Sequence, residues 1–310
     1  MASLKMQILK RIDTLKMFGQ SKHKAKKQEG QVDKMLGIQN NPLRVYGIYS
    51  KTTCDTYKKY CLDFATWERQ RHPEKEFKIL NNIPYDHIGE WLCEGISKGE
   101  SGYTTRLKGA ALAKLFQCNI NAFGVKMPSK KGDRLKIKKS RNNVEFDKHF
   151  SVENNKDIIN FCRVTGLRRS ELRQLSPGQI KLNSKGEVII DLKSKKSYRI
   201  TTKGGRGRIV HPIKEGWNIV LESKNRAEEL GQTLVFLKVH SAMDVHSYRR
   251  EFALNKYKEV IKELKNHGKD IKLDYICRDG SGRRYNKEAL RITSENLGHS
   301  RLDVVVKNYL

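Results

Sequence analysis

Leu297-Gly298-His299-Ser300 is the stretch on which the reading of this chain turns, and Tyr309 follows ten residues after the histidine. Alone it is a small turn and a tyrosine. Two earlier segments give it meaning: Thr165-Gly166-Leu167-Arg168-Arg169-Ser170-Glu171-Leu172 and His246-Ser247-Tyr248-Arg249. Together they bring two arginines, two histidines and a late tyrosine, with Lys203 between them.

These residue types suit phosphoryl transfer to a protein hydroxyl without a metal. Two guanidiniums can clamp the non-bridging oxygens of a phosphodiester bidentately, where the transition state gathers charge. Arg168 and Arg249 are the candidates, each on or beside an expected helix start, where the backbone dipole adds to the field. Glu171, three residues after Arg168, falls on the same helical face and is suited to orient Arg168 or to hold the domain together. His246, three residues before Arg249, can share one phosphate with it or move a proton. Lys203 sits in the turn Lys203-Gly204-Gly205-Arg206-Gly207, where it would reach a bent DNA groove and protonate a leaving oxygen; the same turn also reads as a plain cationic tip.

Composition points to a polyanionic partner. The 310 residues carry 63 Lys+Arg against 34 Asp+Glu, a formal net charge of +29. Such self-repulsion is unusual for an enzyme of small molecules and is most simply met by nucleic acid. No apolar run approaches the roughly 20 residues of a membrane-spanning helix, and no small-molecule partner is expected. The six cysteines (54, 61, 93, 118, 162 and 277) form no Cys-x-x-Cys pair. A zinc site, any other metal or a disulfide framework is therefore not expected, and buried free thiols are. Without a signal-peptide pattern the chain is placed in the cytoplasm, associated with the nucleoid.

The expected fold is mostly α with a small antiparallel β-sheet, an α+β chain. Residues 1–48 read as a basic N-terminal arm. They begin with one amphipathic helix (Leu4, Ile8, Leu9, Ile12, Leu15, Phe18) running into Lys22, Lys24, Lys26 and Lys27, and end in a loop. Residues 49–125 read as a helical domain. It has an aromatic stripe (Tyr57, Tyr60, Phe64, Trp67) taken as core, a second helix over Tyr85–Ile96, and a third capped near Ser101. Residues 126–145 form a basic linker, whose Lys126, Lys130, Lys131, Arg134, Lys136, Lys138, Lys139 and Arg141 would lie along a phosphate backbone, as would Arg206. The second domain, 146–310, is expected to carry strands at Glu187–Leu192, Ser197–Thr202 and Arg208–Ile213. Helices are expected at Asn154–Val164, Trp217–Leu230, His246–Leu264 and Lys287–Leu297, with a polar loop over Gly268–Lys287.

Thr-Gly-Leu-Arg-x-x-Glu-Leu, the Thr-Lys-Gly-Gly-x-x-Arg turn, His-x-x-Arg, and Leu-Gly-His followed by a tyrosine occur in this order over residues 165–309. The chain thereby resembles the tyrosine recombinase (phage integrase) family. The resemblance implies an N-terminal SAM-like core-binding domain and a C-terminal catalytic domain, closing as a C-shaped clamp on duplex DNA. It implies that Arg168, Lys203, His246, Arg249 and His299 activate the scissile phosphate and that Tyr309 is the nucleophile. The intermediate would be a 3′-phosphotyrosine, resolved by a second strand's hydroxyl with no cofactor, ATP or metal. It further implies a mobile-element recombinase that binds inverted half-sites and works as a tetramer on two duplexes, monomeric or dimeric without DNA. The family places its tyrosine nine residues after the histidine rather than ten, and often has His where Arg250 stands. It also continues into a docking helix, whereas this sequence ends at Leu310; either the segment is cut short or assembly uses another surface. The alternative readings are a DNA-binding regulator that keeps the fold without recombining, and a relaxing enzyme of the type IB topoisomerase kind.

Overall fold

Serine side chains open most helices of the N-terminal part of the chain. Ser3 accepts from the Met6 amide ahead of α1 (Leu4–Thr14), and Ser21 from Lys24 ahead of α2 (Lys22–Met35). Ser50 caps α3 (Lys51–Arg71) through the Thr53 amide. Pro84 precedes α4 (Tyr85–Ser97), and Ser101 caps α5 (Gly102–Leu115) through Thr104. Each cap satisfies an amide that the first turn leaves without a carbonyl, an effect of about 1 kcal/mol. The computed structural model describes residues 2–37, 45–128, 148–192, 207–277 and 281–310. It divides the chain into two units, Met1–Lys136 and Ile137–Leu310.

In the first unit α1, α3, α4 and α5 enclose one core, with Ile8, Ile12, Cys61, Phe64, Ile88, Leu92 and Leu112 all buried. The aromatic stripe is part of it: Phe64 meets Trp91 edge to face at 5.5 Å. The single helix expected over the first thirty residues is two. Between them the chain turns out of helical geometry and forms a short bridge, the Met17 amide donating to the Ile48 carbonyl and the Ile48 amide to that of Leu15. Gly19 adopts φ +82° in this break, and Ser21 restarts the helix. The resulting α2 buries no side chain and exposes Lys22, Lys24, Lys26 and Lys27. The thiols depart from expectation at Cys93, which is exposed, and at Cys118, which is half-buried. Cys93 lies off the face of α4 that buries Ile88, Trp91 and Leu92.

The second unit begins with α6 (Lys156–Thr165) and the short α7 (Arg169–Leu172). Next comes an antiparallel sheet in the order β1 (Ile180–Leu182), β2 (Val188–Asp191), β3 (Ile209–Val210). Ile180 pairs with Ile190, which pairs in turn with Val210, so three β-branched side chains stack on the core face. β1 was not foreseen in the sequence, and the expected strand Ser197–Thr202 lies outside the described residues. Then follow α8 (Trp217–Glu229) and α9 (Val245–Asn266). The polar segment read as loop contains a small hairpin, β4 (Tyr275–Ile276) with β5 (Arg284–Tyr285). The chain closes with α10 (Lys287–Asn296) and α11 (Leu302–Asn308). The fold is thus mostly helical with a small antiparallel sheet. α6 packs on α9, and α9 on α10, which brings the three sequence motifs to one place.

Candidate active site

The site is built where α6 ends. Gly166 stops that helix in the left-handed region at φ +60°, and a Cβ there would stand 2.2 Å from the Phe252 ring. Only glycine fits both demands. The tight turn frees the Gly166 carbonyl, which accepts from Nη1 of Arg249. Arg249 is held on three sides: its Nη2 donates to the Leu297 carbonyl and its Nε to the Tyr309 hydroxyl at 3.1 Å. It is only 1% exposed, and burial pushes its guanidinium down to about 10, opposed by Tyr309 and assisted by the charges of Arg168 and Arg208.

Arg168 forms the N-terminal boundary of α7. Its backbone amide and its Nη1 both donate to the Glu171 carboxylate, at 2.7 and 2.9 Å, and its Nη2 donates to the Leu297 carbonyl at 2.9 Å. One backbone oxygen therefore receives both candidate guanidiniums and makes them converge. Glu171 is fully buried and carries a second, bidentate partner: Arg208 Nη1 and Nη2 at 2.6 and 2.9 Å. Burial alone would raise the Glu171 carboxyl, but the hydrogen bonds and charge of Arg208, then Arg168, outweigh it and hold the group at about 2. Glu171 thus contacts Arg168 within α7 and ties α7 to the start of β3 through Arg208.

Arg208 is the last residue of the Thr-Lys-Gly-Gly-x-x-Arg pattern, which located it in the sequence but gave it no role. It is one cation among 63 and opens an ordinary β-branched strand. The sheet aims it: the Leu192 amide donates to the Arg208 carbonyl at 2.9 Å, and Nε of Arg208 donates to the Asn296 carbonyl at 2.8 Å. Gly298 at φ +67° lets the turn pass over this side chain, since a Cβ would sit 3.0 Å from Arg208 Cδ.

His299 follows in that turn. Its backbone amide donates to the Ser294 carbonyl, and the Ser294 hydroxyl donates to the His299 carbonyl at 3.1 Å. The ring lies 5.6 Å from that of Tyr309, and Nε2 is buried without a hydrogen-bond partner. Burial, then Arg249, Arg168 and Arg208, push the imidazole down to about 4, so it is neutral at pH 7.

Tyr309 caps the C-terminal end of α11 through the Val305 carbonyl and is 7% exposed. Val305, Val306, Leu297 and Phe252 pack around it. The tenth-residue spacing is absorbed by the turn and α11, and the hydroxyl still reaches Arg249.

Arg168, Glu171, Arg249, His299 and Tyr309 are therefore brought together, with Arg208 added. His246 is not enclosed with them. It lies on the exposed side of the first turn of α9, which Asp244 caps through the Ser247 amide and hydroxyl. Arg169 anchors the approach to that turn by donating to the His240 and Met243 carbonyls. Lys126 is exposed just beyond the first helical unit. Lys130, Lys131, Arg134, Lys136, Lys138, Lys139, Arg141, Lys203 and Arg206 lie outside the described residues.

Among solved structures, those similar to this chain are site-specific DNA recombinases and a transposon integrase. The XerH recombinase on palindromic difH substrate, in its post-cleavage complex, aligns at a TM-score of 0.48 and 18% identity, covering 84% of this chain and 76% of that one. The Tn1549 transposon integrase with transposon right end DNA aligns at 0.44 and 13% identity, covering 92% and 94%. The XerA recombinase aligns at 0.30 and 16%, covering 90% and 92%. No family model and no curated protein sequence matches the chain.

Proposed function

We propose that this chain is a tyrosine recombinase that cuts and rejoins DNA through a 3′-phosphotyrosine. The observation that carries the reading is the hydrogen bond from Arg249 to the Tyr309 hydroxyl, made within 60 residues of chain by groups that the sequence motifs single out independently. In this reading the Tyr309 hydroxyl passes its proton to the neutral His299 imidazole, whose Nε2 is without a partner, and its oxygen attacks phosphorus. The P–Oη bond forms, the P–O5′ bond breaks, and the 5′ oxygen leaves as a hydroxyl after taking a proton from Lys203. Arg168 and Arg249, each with N–H groups beyond those spent on the protein, hold the non-bridging oxygens. His299 Nε2 hydrogen-bonds the same phosphate, and His246 approaches it from the exposed side of α9. Attack by another strand's 5′ hydroxyl restores the diester, so the bond energy is conserved and no cofactor is consumed.

The partner is double-stranded DNA, held by the excess of 29 positive charges and by Lys126 with the basic residues that follow it. A mobile-element recombinase acting on inverted half-sites as a tetramer, in the cytoplasm and on the nucleoid, fits this chemistry. The ten-residue spacing favours the regulator reading, and the hydrogen bond from Arg249 to the Tyr309 hydroxyl weighs against it.

The test is a nicked suicide duplex bearing the end sequence of the DNA element that encodes the chain, incubated with wild type and Tyr309→Phe. A covalent protein–DNA band on a denaturing gel, made by wild type and not by Tyr309→Phe, is the expected result. Native-gel binding by both proteins with no covalent band from either would replace the recombinase with the regulator.

A further inference from the structure

We propose that Glu68, His72 and His87 form a binding site for a zinc-class divalent metal ion in the N-terminal unit. The three residues come from two helices. Glu68 and His72 are one turn apart at the C-terminal end of α3, and His87 lies in the first turn of α4. One ligand atom from each falls within 4.8 Å of the others.

A histidine and a glutamate meeting in a core are more often just a hydrogen-bonded pair, and one such bond is present: His87 Nδ1 and Glu68 Oε1 are 2.8 Å apart. Two further observations exceed that reading. Glu68 is 0% exposed; among the described residues its one hydrogen-bonded side-chain partner is this histidine, and its second oxygen, Oε2, is buried with no hydrogen-bond partner. A buried carboxylate with a vacant lone pair and no Lys or Arg ion-paired to it among the described residues is costly. His72 Nε2 is likewise buried without a hydrogen bond. Glu90 Oε2 stands 3.4 Å from it, close enough for an ion pair but out of line for a hydrogen bond. One cation satisfies both orphaned atoms at once.

The donor set selects the ion. Two imidazoles and a carboxylate suit Zn²⁺ and its neighbours rather than Mg²⁺ or Ca²⁺, which take oxygen. Glu90 is three residues after His87 and supplies a fourth ligand, so two carboxylates balance the charge of the metal. The rings of His72 and His87 are stacked at 3.6 Å and 10°, which puts their nitrogens side by side but their lone pairs parallel. Convergence on one ion needs a rotation of one ring. His72 lies at the C-cap, outside the helix, and is the ring free to turn. Trp67 and Phe77 stand edge-on to it at 5.5 and 6.2 Å and close the site with apolar surface.

Bound metal would staple the end of α3 to the start of α4. The connection between them is already tied to α1, where the Gln7 side chain donates to the Lys78 carbonyl and accepts from the Leu80 amide. This inference is independent of the recombinase reading. The absence of metal expected from the sequence rests on the lack of a Cys-x-x-Cys pair with matching histidine spacing, and this cluster contains no cysteine.

The experiment uses the untagged full chain, stripped with chelator and titrated calorimetrically with Zn²⁺. One equivalent should bind, with a rise in melting temperature. Glu68→Gln and His72→Asn, with unchanged circular dichroism, should each lose that equivalent. Co²⁺ should bind without thiolate charge-transfer bands and quench Trp67 fluorescence, a signal absent from Trp67→Phe. The Co²⁺ result on wild type decides the matter even if the ligand variants do not fold. No saturable Zn²⁺ binding to wild type, binding undiminished in both folded variants, or thiolate bands with Co²⁺ would overturn the proposal.

Discussion

Arg249 donates its Nε hydrogen to the hydroxyl oxygen of Tyr309 at 3.1 Å, with Tyr309 in an apolar cluster and Arg249 itself buried. The same guanidinium also satisfies the Gly166 and Leu297 carbonyls, so it fixes the end of α6, the turn after α10 and the end of α11 together.

Arg249→Lys should therefore fail although it keeps the charge. An ammonium lacks the planar fork that serves three acceptors from fixed directions. Strand cleavage should fall by about a hundredfold or more, the scale of losing one donor to developing charge, while DNA affinity stays largely intact because many cations share the backbone. Cleavage rates and a binding titration on the same duplex check this. Wild-type cleavage by the lysine variant would remove Arg249 from the mechanism.

Glu171 should govern stability in acid. Its folded carboxyl is held at about 2, below the usual carboxylate range, so its contribution is complete above that range and is lost as pH falls toward 2. Glu171→Gln should cost about 3–5 kcal/mol at neutral pH, because the buried Arg208 and the half-buried Arg168 lose their shared anion. It should also flatten the acid limb of a melting-temperature profile. An acid limb identical in the two proteins would show that Glu171 is not the group responsible.

His299 should titrate near pH 4 in the free protein, against about 6.5 for an unperturbed imidazole. Folding keeps it neutral, so the unfolded chain takes the proton first and stability declines as pH falls from about 6.5 toward 4. A phosphate analogue such as vanadate brings negative charge beside the ring and should move the midpoint upward. Nuclear magnetic resonance of the labelled ring reads both values, and a midpoint near 6.5 without ligand would contradict the buried, arginine-flanked environment.

Gly166→Ala should destabilise the second unit by about 2 kcal/mol or more, from a left-handed backbone and a crowded core together. Phe252→Leu in the same chain relieves the clash at the ring but not the backbone strain, so it should restore part of the loss. Full restoration in the thermal melt would assign the whole effect to crowding.

The elements that were legible in the sequence are those that depend on local pattern. The apolar spacing of α3, α9 and α10 marked their positions, and Thr165–Leu172, His246–Arg249 and Leu297–His299 pointed to the arginines, the histidine turn and Tyr309. What was missed depends on distant chain. β1 is three residues long, and nothing within it distinguishes it from a turn until β2 lies alongside. The break after α1 exists because Met17 pairs with Ile48. Arg208 ends the Thr-Lys-Gly-Gly-x-x-Arg pattern, but its pairing with Glu171 arises only because the sheet carries it beneath Gly298. Glu68, His72 and His87 escaped because their spacing bridges two helices.

The Leu297 carbonyl, which receives both Arg168 and Arg249, belongs to the main chain. Every amino acid carries that oxygen, so an alanine at position 297 reports the loss of a buried core side chain and says nothing of the most shared acceptor of the site. Only backbone chemistry, such as an ester at this bond or a residue that redirects the peptide at Gly298, would reach it. For an engineer redesigning this surface, the acceptor is a fixed point.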